Sequence, residues 1–150
     1  MKLPPEVRKE FQKHGRAGGF GRAARLSARD RSAIARKAAT ARWIRHHFGA
    51  STFAALGLPG GELVDSGLAD LAHNRTTLQS LLVSLAAQRL RREKVPVGSV
   101  EPNPEERLYG LLTETEGDLA HARYNAWRRQ IVSFADACRL YRREPDRRAS

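Results

Sequence analysis

The chain has 150 residues, of which 41% are hydrophobic and 29% are charged, and its formal net charge is +11. This length and composition predict one globular domain and exclude an intrinsically disordered chain. No apolar run approaches the ~20 residues that a membrane span needs, and the first residues, MKLPPEVRKEF, lack the apolar segment of a secretory signal. We therefore expect a cytoplasmic protein whose single cysteine, Cys138, is a reduced and buried thiol.

The positive charge is concentrated in the first third of the chain. Residues 1–48 contain 13 lysines and arginines against three acids, whereas residues 101–150 contain nine of each. A concentrated basic segment attracts polyanions, although a solvated arm that only aids solubility would have the same composition. We therefore divide the chain into a basic Gly/Arg-rich arm (1–48), a helical bundle (49–143) and a disordered tail (144–150).

Two helices are predicted in the arm. The segment EVRKEFQKH follows Pro5 and is expected to form a short helix that ends in a glycine loop, KHGRAGGFGRAARLS. Ser27 and Asp30 have the spacing of a capping box, which starts a second helix. An apolar stripe from Ile34 to Phe48 gives this second helix one buried side.

Further helices are predicted along the bundle. The segments STFAALG and ELVDSGLADLA each form a short helix, and a capping box at Thr76 and Gln79 opens a longer one, TLQSLLVSLAAQRLRR. Asn103 caps the helix that follows it. From Ala120 to Tyr141 apolar residues alternate at spacings of four and three, which is a heptad seam. With no convincing alternating strand, the predicted fold is all-α, a small bundle of five to seven helices with a basic N-terminal helical arm.

The heptad seam has two interpretations, and both remain open at this point. It can be the spine of the intramolecular core, which its short length favours, or one side of a partner interface. In the second case Tyr124, Trp127, Ile131 and Phe134 would bind the partner protein.

The glycine loop suggests two kinds of anion binding. The segment GFGRAA, from Gly19 to Ala24, matches the G-x-G-x-x-A variant of the dinucleotide fingerprint, but no strand precedes it and no acid follows about 20 residues later. The better interpretation is a loop whose amides and arginines contact the phosphates of DNA or RNA. Seven cations are expected to make these contacts: Arg16, Arg22, Arg25, Arg29, Arg36, Lys37 and Arg42.

No cofactor, metal site or catalytic constellation is predicted. His46 and His47 are adjacent, so they lie on different faces of a helix, and one cysteine cannot build a structural zinc site. Arg42 and His47 have the Arg-His spacing of helical RNases of the HEPN class, but matches to this spacing occur at the chance rate of an arginine-rich chain. We therefore expect a protein that is not an enzyme. One alternative is a HEPN-like RNase toxin that uses Arg42 and His47, and another is an interaction module that neutralises an acidic partner.

Two parts of the chain resemble known bacterial proteins. The segment GRAARLSARDRSAIARKAATARW, Gly21 to Trp43, resembles a short basic module that reads Gly-Gly, Ala-Arg-Ala, Leu-Ser-x-x-x-Arg-x-x-Ile-Ala-Arg-Lys-Ala-Ala-x-Ala-Arg-Trp. Over residues 15–43 this resemblance implies nucleic-acid binding. The segments GLADLAHNRTTLQSLLVSLAAQRLRREKVPV and AHARYNAWRRQIVSFADA are similar to bacterial proteins encoded beside nucleotidyltransferase-like toxins of the abortive-infection type. That similarity implies an antitoxin whose basic arm binds DNA or RNA and whose helical body binds a cognate toxin.

Overall fold

A computed structural model describes residues 4–143, apart from the side chain of Ala23. The described residues form seven α-helices and two short 3₁₀ helices and contain no strand, which confirms the predicted all-α fold. None of the helices in this range is long and apolar enough to span a bilayer. The disordered tail predicted for residues 144–150 lies outside the described residues.

The chain divides into two units after Ala35, inside the second helix. We call residues 4–35 the leader and residues 36–143 the body. The boundary predicted from the sequence lies at residue 48. The structure differs because Ile44 and Phe48 are 1% and 3% exposed and belong to the hydrophobic core of the body. The second half of the basic helix is therefore part of the bundle.

The leader is helical through its glycines. Helix α1 spans Pro5–Arg25 and includes Gly15, Gly18, Gly19 and Gly21, so the predicted glycine loop is wrong. Each glycine in a helix costs about 1 kcal/mol relative to alanine, but Arg16, Ala17 and the segment RAAR that follows Gly21 are strong helix formers. None of these four glycines has the positive φ that a tight turn would use. Every described side chain of α1 is exposed.

Helix α2 spans Ala28–Phe48 and begins at the predicted cap. The Ser27 hydroxyl oxygen accepts a hydrogen bond from the Asp30 amide at 3.0 Å and donates one to the Asp30 carboxylate at 2.6 Å. The first of these bonds satisfies an amide that has no partner within the helix. The predicted start of this helix is confirmed.

The body continues with five more α-helices and two single-turn 3₁₀ helices. The helices are α3 (Gly61–Ala72), α4 (Leu78–Leu85), α5 (Ala87–Arg92), α6 (Pro104–Glu116) and α7 (Ala120–Arg143), with 3₁₀ helices at Ala54–Leu56 and Gly117–Leu119. The predicted helix in STFAALG is thus only one 3₁₀ turn. The longer helix predicted after Thr76 is divided at Ala86 into α4 and α5.

The cap of α4 lies one residue later than predicted. The Thr77 hydroxyl accepts a hydrogen bond from the Ser80 amide at 3.1 Å, and the Ser80 hydroxyl accepts one from the Thr77 amide at 2.8 Å. Thr76 instead donates a hydrogen bond to Glu101 at 3.1 Å. Adjacent threonines both satisfy the sequence pattern of a cap, and the tertiary partner of Thr76 determines which of them serves as the cap.

Helix α7 is the spine of the body, and its heptad seam is intramolecular core. Tyr124, Ile131 and Phe134 are 6%, 3% and 0% exposed, and the Phe53 ring meets the Phe134 ring edge-on at 5.1 Å. Trp127 packs, partly buried, against the same core. This packing corrects the assignment of Tyr124, Trp127, Ile131 and Phe134 to a partner interface, because their apolar surfaces are occupied within the chain.

Helices α3 and α4 cross closely at Gly67. A Cβ atom at this position would lie 2.6 Å from both the Gln79 carbonyl oxygen and Val83 Cγ2. The glycine is therefore needed for the approach of the two helices. On α7, Cys138 is a free and buried thiol, as predicted.

Candidate nucleic-acid interface

Three of the predicted phosphate contacts lie on α1 of the leader. Arg16, Arg22 and Arg25 are exposed, and among the described residues no carboxylate lies within ion-pairing distance of them. Because α1 is continuous, the amides of its interior glycines are used in helical hydrogen bonds. This corrects the prediction that a glycine loop cradles phosphates. Only side chains of this stretch can contact an anion, and GFGRAA lacks the strand and turn that a dinucleotide site requires.

The other four predicted cations lie on α2. Arg29 is exposed in the first turn, within the leader, whereas Arg36, Lys37 and Arg42 are exposed on the part that belongs to the body. The Arg36 guanidinium donates a hydrogen bond to the carbonyl of Ala72 at 3.1 Å. Lys37 has no hydrogen bond or ion pair with any described residue. The structure thus divides the predicted site into four cations of the leader and three of the body.

Two further exposed side chains of α2, Trp43 and Arg45, lie near the cations of the body and were not predicted from the sequence. Arg45 is exposed on α2 and donates a hydrogen bond to the Ser51 hydroxyl. Trp43 is 46% exposed, and its indole N–H donates to the Lys94 carbonyl at 2.8 Å. A tryptophan inside an arginine-rich helix was the available signal, since aromatic rings among cations are typical of single-strand binding surfaces.

Two of the three acids of α3, Asp65 and Asp70, are bound within the body itself. The Asp65 carboxylate accepts hydrogen bonds from the amides of residues 53–54 at 3.1 and 2.8 Å. The Asp70 carboxylate accepts one from the Thr77 hydroxyl at 2.8 Å and pairs with Arg75 at 2.7 Å. These carboxylates stabilise the loops at the two ends of α3.

His47 lies near the end of α2, and its pKa is lowered there. Burial lowers its pKa below the ordinary value of 6.5, and the charges of His46, Lys94 and Arg142 lower it further. Its ring lies 4.5 Å from the Trp43 ring, centroid to centroid. Near neutral pH His47 is therefore an uncharged ring beside the tryptophan.

Arg42 and His47 do not form a joint site. The Arg42 Nε donates a hydrogen bond to the Ala38 carbonyl at 3.4 Å, whereas the His47 ring packs against Trp43 and His46. Five positions along a helix correspond to a rotation of about 140°, so the two side chains leave different faces of α2. This geometry gives no support to the RNase alternative. Within residues 4–143 no three His, Cys, Asp or Glu side chains are arranged to hold a metal ion.

Elsewhere in the body, six arginines pair with acids. Six ion pairs have N–O distances of 2.6 to 3.5 Å: Arg75–Asp70, Arg89–Asp136, Arg107–Glu101, Arg123–Glu116, Arg139–Asp136 and Arg142–Glu93. In the described chain, Arg16, Arg22, Arg25 and Lys37 have no such partner. Four cations of the predicted phosphate site are thus available to a ligand, and so are Arg92, Arg129 and Arg143 of the body, which are exposed and have no ion pair with a described residue.

No protein-family model matches this chain, and no curated protein and no solved structure matches it either.

Proposed function

We propose that this protein is a cytoplasmic regulator, not an enzyme, that binds nucleic acid through the cations of the leader and of α2. The segregation of charge carries the proposal: residues 1–48 contain 13 lysines and arginines against three acids, whereas residues 101–150 contain nine of each. Arg16, Arg22, Arg25 and Lys37 also have no carboxylate partner in the described chain. Cations that contact phosphates release condensed counterions, which makes binding favourable and dependent on salt. Arginine is suited to this role because its planar fork contacts phosphate oxygens bidentately.

The regulatory role is antitoxin-like, with the body as the part that binds a cognate toxin. Its support is the similarity of the body segments to bacterial proteins encoded beside nucleotidyltransferase-like toxins. Because the seam of α7 is used in the core, a toxin would contact outward side chains of the body. Leu119 and Leu140, which are 58% and 59% exposed, are apolar residues of this kind.

The salt dependence of binding tests the nucleic-acid function. The variant Arg16→Gln/Arg22→Gln/Arg25→Gln removes three exposed charges of α1 that have no ion pair among the described residues, so we expect it to fold normally. Its affinity for a labelled DNA duplex and a single strand is measured by fluorescence anisotropy between about 50 and 200 mM salt. We expect the slope of log K against log salt to flatten by about 2.7 units on the duplex, since each phosphate contact contributes about 0.9.

The matched control removes three arginines of the body that have no ion pair with a described residue. The variant Arg92→Gln/Arg129→Gln/Arg143→Gln has the same net charge as the leader variant, and all three positions are exposed. We expect its salt slope to equal that of the wild type. An equal loss in both variants would contradict a site in the leader, because total charge would then determine binding.

Failure of the wild type to bind any nucleic acid at low salt would refute the proposed function. The remaining alternative would then be an acidic protein as the ligand of the leader. Co-purification after nuclease treatment separates the two, since a partner that stays bound after digestion is not held through DNA or RNA.

A further inference from the structure

The body contains a cleft of about 510 Å³ between α2, α3 and the segment 96–99. Helix α2 contributes Arg36, Ala39, Thr40 and Trp43, whose spacing places them on one face of the helix. The cleft exists because the two middle residues are small and leave space in front of the leucines of α3. Its volume lies within the range of about 300–1,000 Å³ that is usual for ligand sites.

Hydrogen bonds to backbone carbonyls fix the walls of the cleft. At one end the Arg36 guanidinium donates to the last residue of α3 at 3.1 Å, and at the other end the Trp43 indole donates to Lys94 at 2.8 Å. The two side chains are seven positions apart, which is about 10 Å along the helix. Arg91 donates to the carbonyls of residues 97–98 at 3.0 and 2.6 Å and so holds the third wall. A preformed cleft binds a ligand without the entropy loss of ordering its walls.

Trp43 provides an aromatic surface in this cleft. Its N–H is already used by Lys94, so the part of the residue that remains accessible is mostly ring, and the residue is 46% exposed. Core packing does not explain a tryptophan that is held in place by a hydrogen bond and is nevertheless half-exposed. Nucleobases stack on exposed aromatic rings of this kind, irrespective of sequence.

The charge around the cleft matches a nucleic-acid strand. No acidic residue is among the described residues that line the cleft. Arg36 lines the cleft and Lys37 is the next residue of α2, whereas Arg42 and Arg45 lie on other faces of the helix. Asn74 and Ser99 also line the cleft, and an amide and a hydroxyl can both donate to and accept from the edge of a base.

We propose that this cleft receives a base of single-stranded nucleic acid, which stacks on Trp43 while Arg36 and Lys37 contact the neighbouring phosphates. The inference rests on the proposed nucleic-acid function and deepens it, because it names single strands with accessible bases as the substrate class. In a duplex the bases are already stacked on one another and cannot enter the cleft.

Tryptophan fluorescence tests the stacking directly. The chain has two tryptophans, so a Trp127→Phe background makes Trp43 the only one. We expect saturation with an oligothymidylate of about 15 nucleotides to quench the emission of Trp43, since a stacked base lies against the ring. Inorganic polyphosphate supplies the charge without bases and should bind without quenching. Equal quenching by both ligands, or binding of the oligonucleotide without quenching, would overturn the proposal.

Two substitutions at Trp43 separate stacking from structure. Trp43→Leu and Trp43→Phe both lose the hydrogen bond to Lys94, but only Trp43→Phe keeps an aromatic ring. We expect Trp43→Leu to weaken oligothymidylate binding by about five-fold to about a hundred-fold and to leave polyphosphate binding unchanged. Trp43→Phe should bind oligothymidylate close to the wild type, with circular dichroism and thermal unfolding showing that both variants fold.

The outcomes distinguish this inference from the proposed function. If the wild type binds polyphosphate and DNA but Trp43→Leu binds oligothymidylate as well as the wild type does, the cleft is not a base site and the nucleic-acid function stands. If Trp43→Leu and Trp43→Phe lose affinity equally for both ligands, Trp43 has a structural role and the inference is overturned. If no polyanion binds, the proposed function itself fails.

Discussion

The glycines of α1 allow a direct test of whether the leader is a helix or a loop. We consider the double variant Gly18→Ala/Gly19→Ala. No atom outside the helix's own backbone lies within 4 Å of a Cβ at either position, and neither glycine has a positive φ. Replacing glycine by alanine at an exposed position inside a helix stabilises the helix by about 0.8–1.0 kcal/mol. The two substitutions together should therefore stabilise α1 by about 2 kcal/mol.

Hydrogen exchange of the α1 amides measures this change in the intact protein. Because every described side chain of α1 is exposed, α1 has little packing to oppose local opening, so its amides exchange through local unfolding. A stabilisation of about 2 kcal/mol should slow exchange at the centre of α1 by about thirty-fold, while amides of α7 are unchanged. The far-UV circular dichroism signal of helix should increase as well.

A third glycine provides a control of opposite sign. Gly67 is also helical, but its Cβ would lie 2.6 Å from Gln79 and Val83 of the adjoining helix segment, so Gly67→Ala should destabilise the body by about 1–3 kcal/mol. Urea unfolding measures that loss. If Gly18→Ala/Gly19→Ala leaves exchange in α1 unchanged or makes it faster, the stretch is not a helix, and the reasoning that rejects a phosphate-binding loop is refuted.

Three further predictions concern the body. Phe134→Ala should reduce the free energy of unfolding by about 3–5 kcal/mol in urea denaturation, because Phe134 is fully buried; an unchanged midpoint would contradict its place in the core. Burial raises the pKa of the Cys138 thiol to about 12, so at pH 8 a thiol reagent should label it only after unfolding, and rapid labelling of the native protein would disprove this. Burial, and then the charge of His46, lower the pKa of His47 below 6.5. As the pH falls, the imidazole is therefore protonated at a higher pH in the unfolded chain than in the folded protein. The stability associated with His47 is complete above pH 6.5 and is lost as the pH falls through its folded pKa; an NMR titration midpoint at or above 6.5 would exclude this.

Features set by local pattern were predictable from the sequence, and features set by tertiary partners were not. The heptad spacing of α7 and the Ser27–Asp30 cap are short-range patterns, and both are present in the structure. The cap of α4 is at Thr77 rather than Thr76 because Glu101, 25 positions beyond Thr76, accepts the hydrogen bond of Thr76.

The glycine loop was a wrong prediction for a different reason. Glycine is common in turns, but its cost in a helix is only about 1 kcal/mol per residue and does not by itself require a break. In α1 the glycines are accompanied by good helix formers, Arg16, Ala17 and the segment RAAR after Gly21, and none of the four glycines adopts a positive φ.

The candidate site was predictable as charge but not as shape. The run of cations could be read directly from residues 16–42. The cleft beside Trp43 is formed by three segments that are distant in sequence, so no local pattern indicates it. The same holds for the body boundary, which depends on the burial of Ile44 and Phe48 in a core supplied by later helices.

The two kinds of cation are expected to contribute to binding in different ways. The body half of α2 is anchored, since Ile44 and Phe48 are in the core and the Tyr141 hydroxyl donates to the Phe48 carbonyl at 3.1 Å. Helix α1 has no buried side chain in the described chain, so contacts made by its arginines must also offset the entropy of ordering side chains that packing does not hold. Charge removal on α1 should therefore change the salt slope, because each lost phosphate contact reduces counterion release. Loss of the Trp43 ring should shift the affinity by the same factor at every salt concentration, because stacking releases no counterions. A Trp43→Leu variant whose defect disappears at low salt would show that the ring acts only by positioning charge.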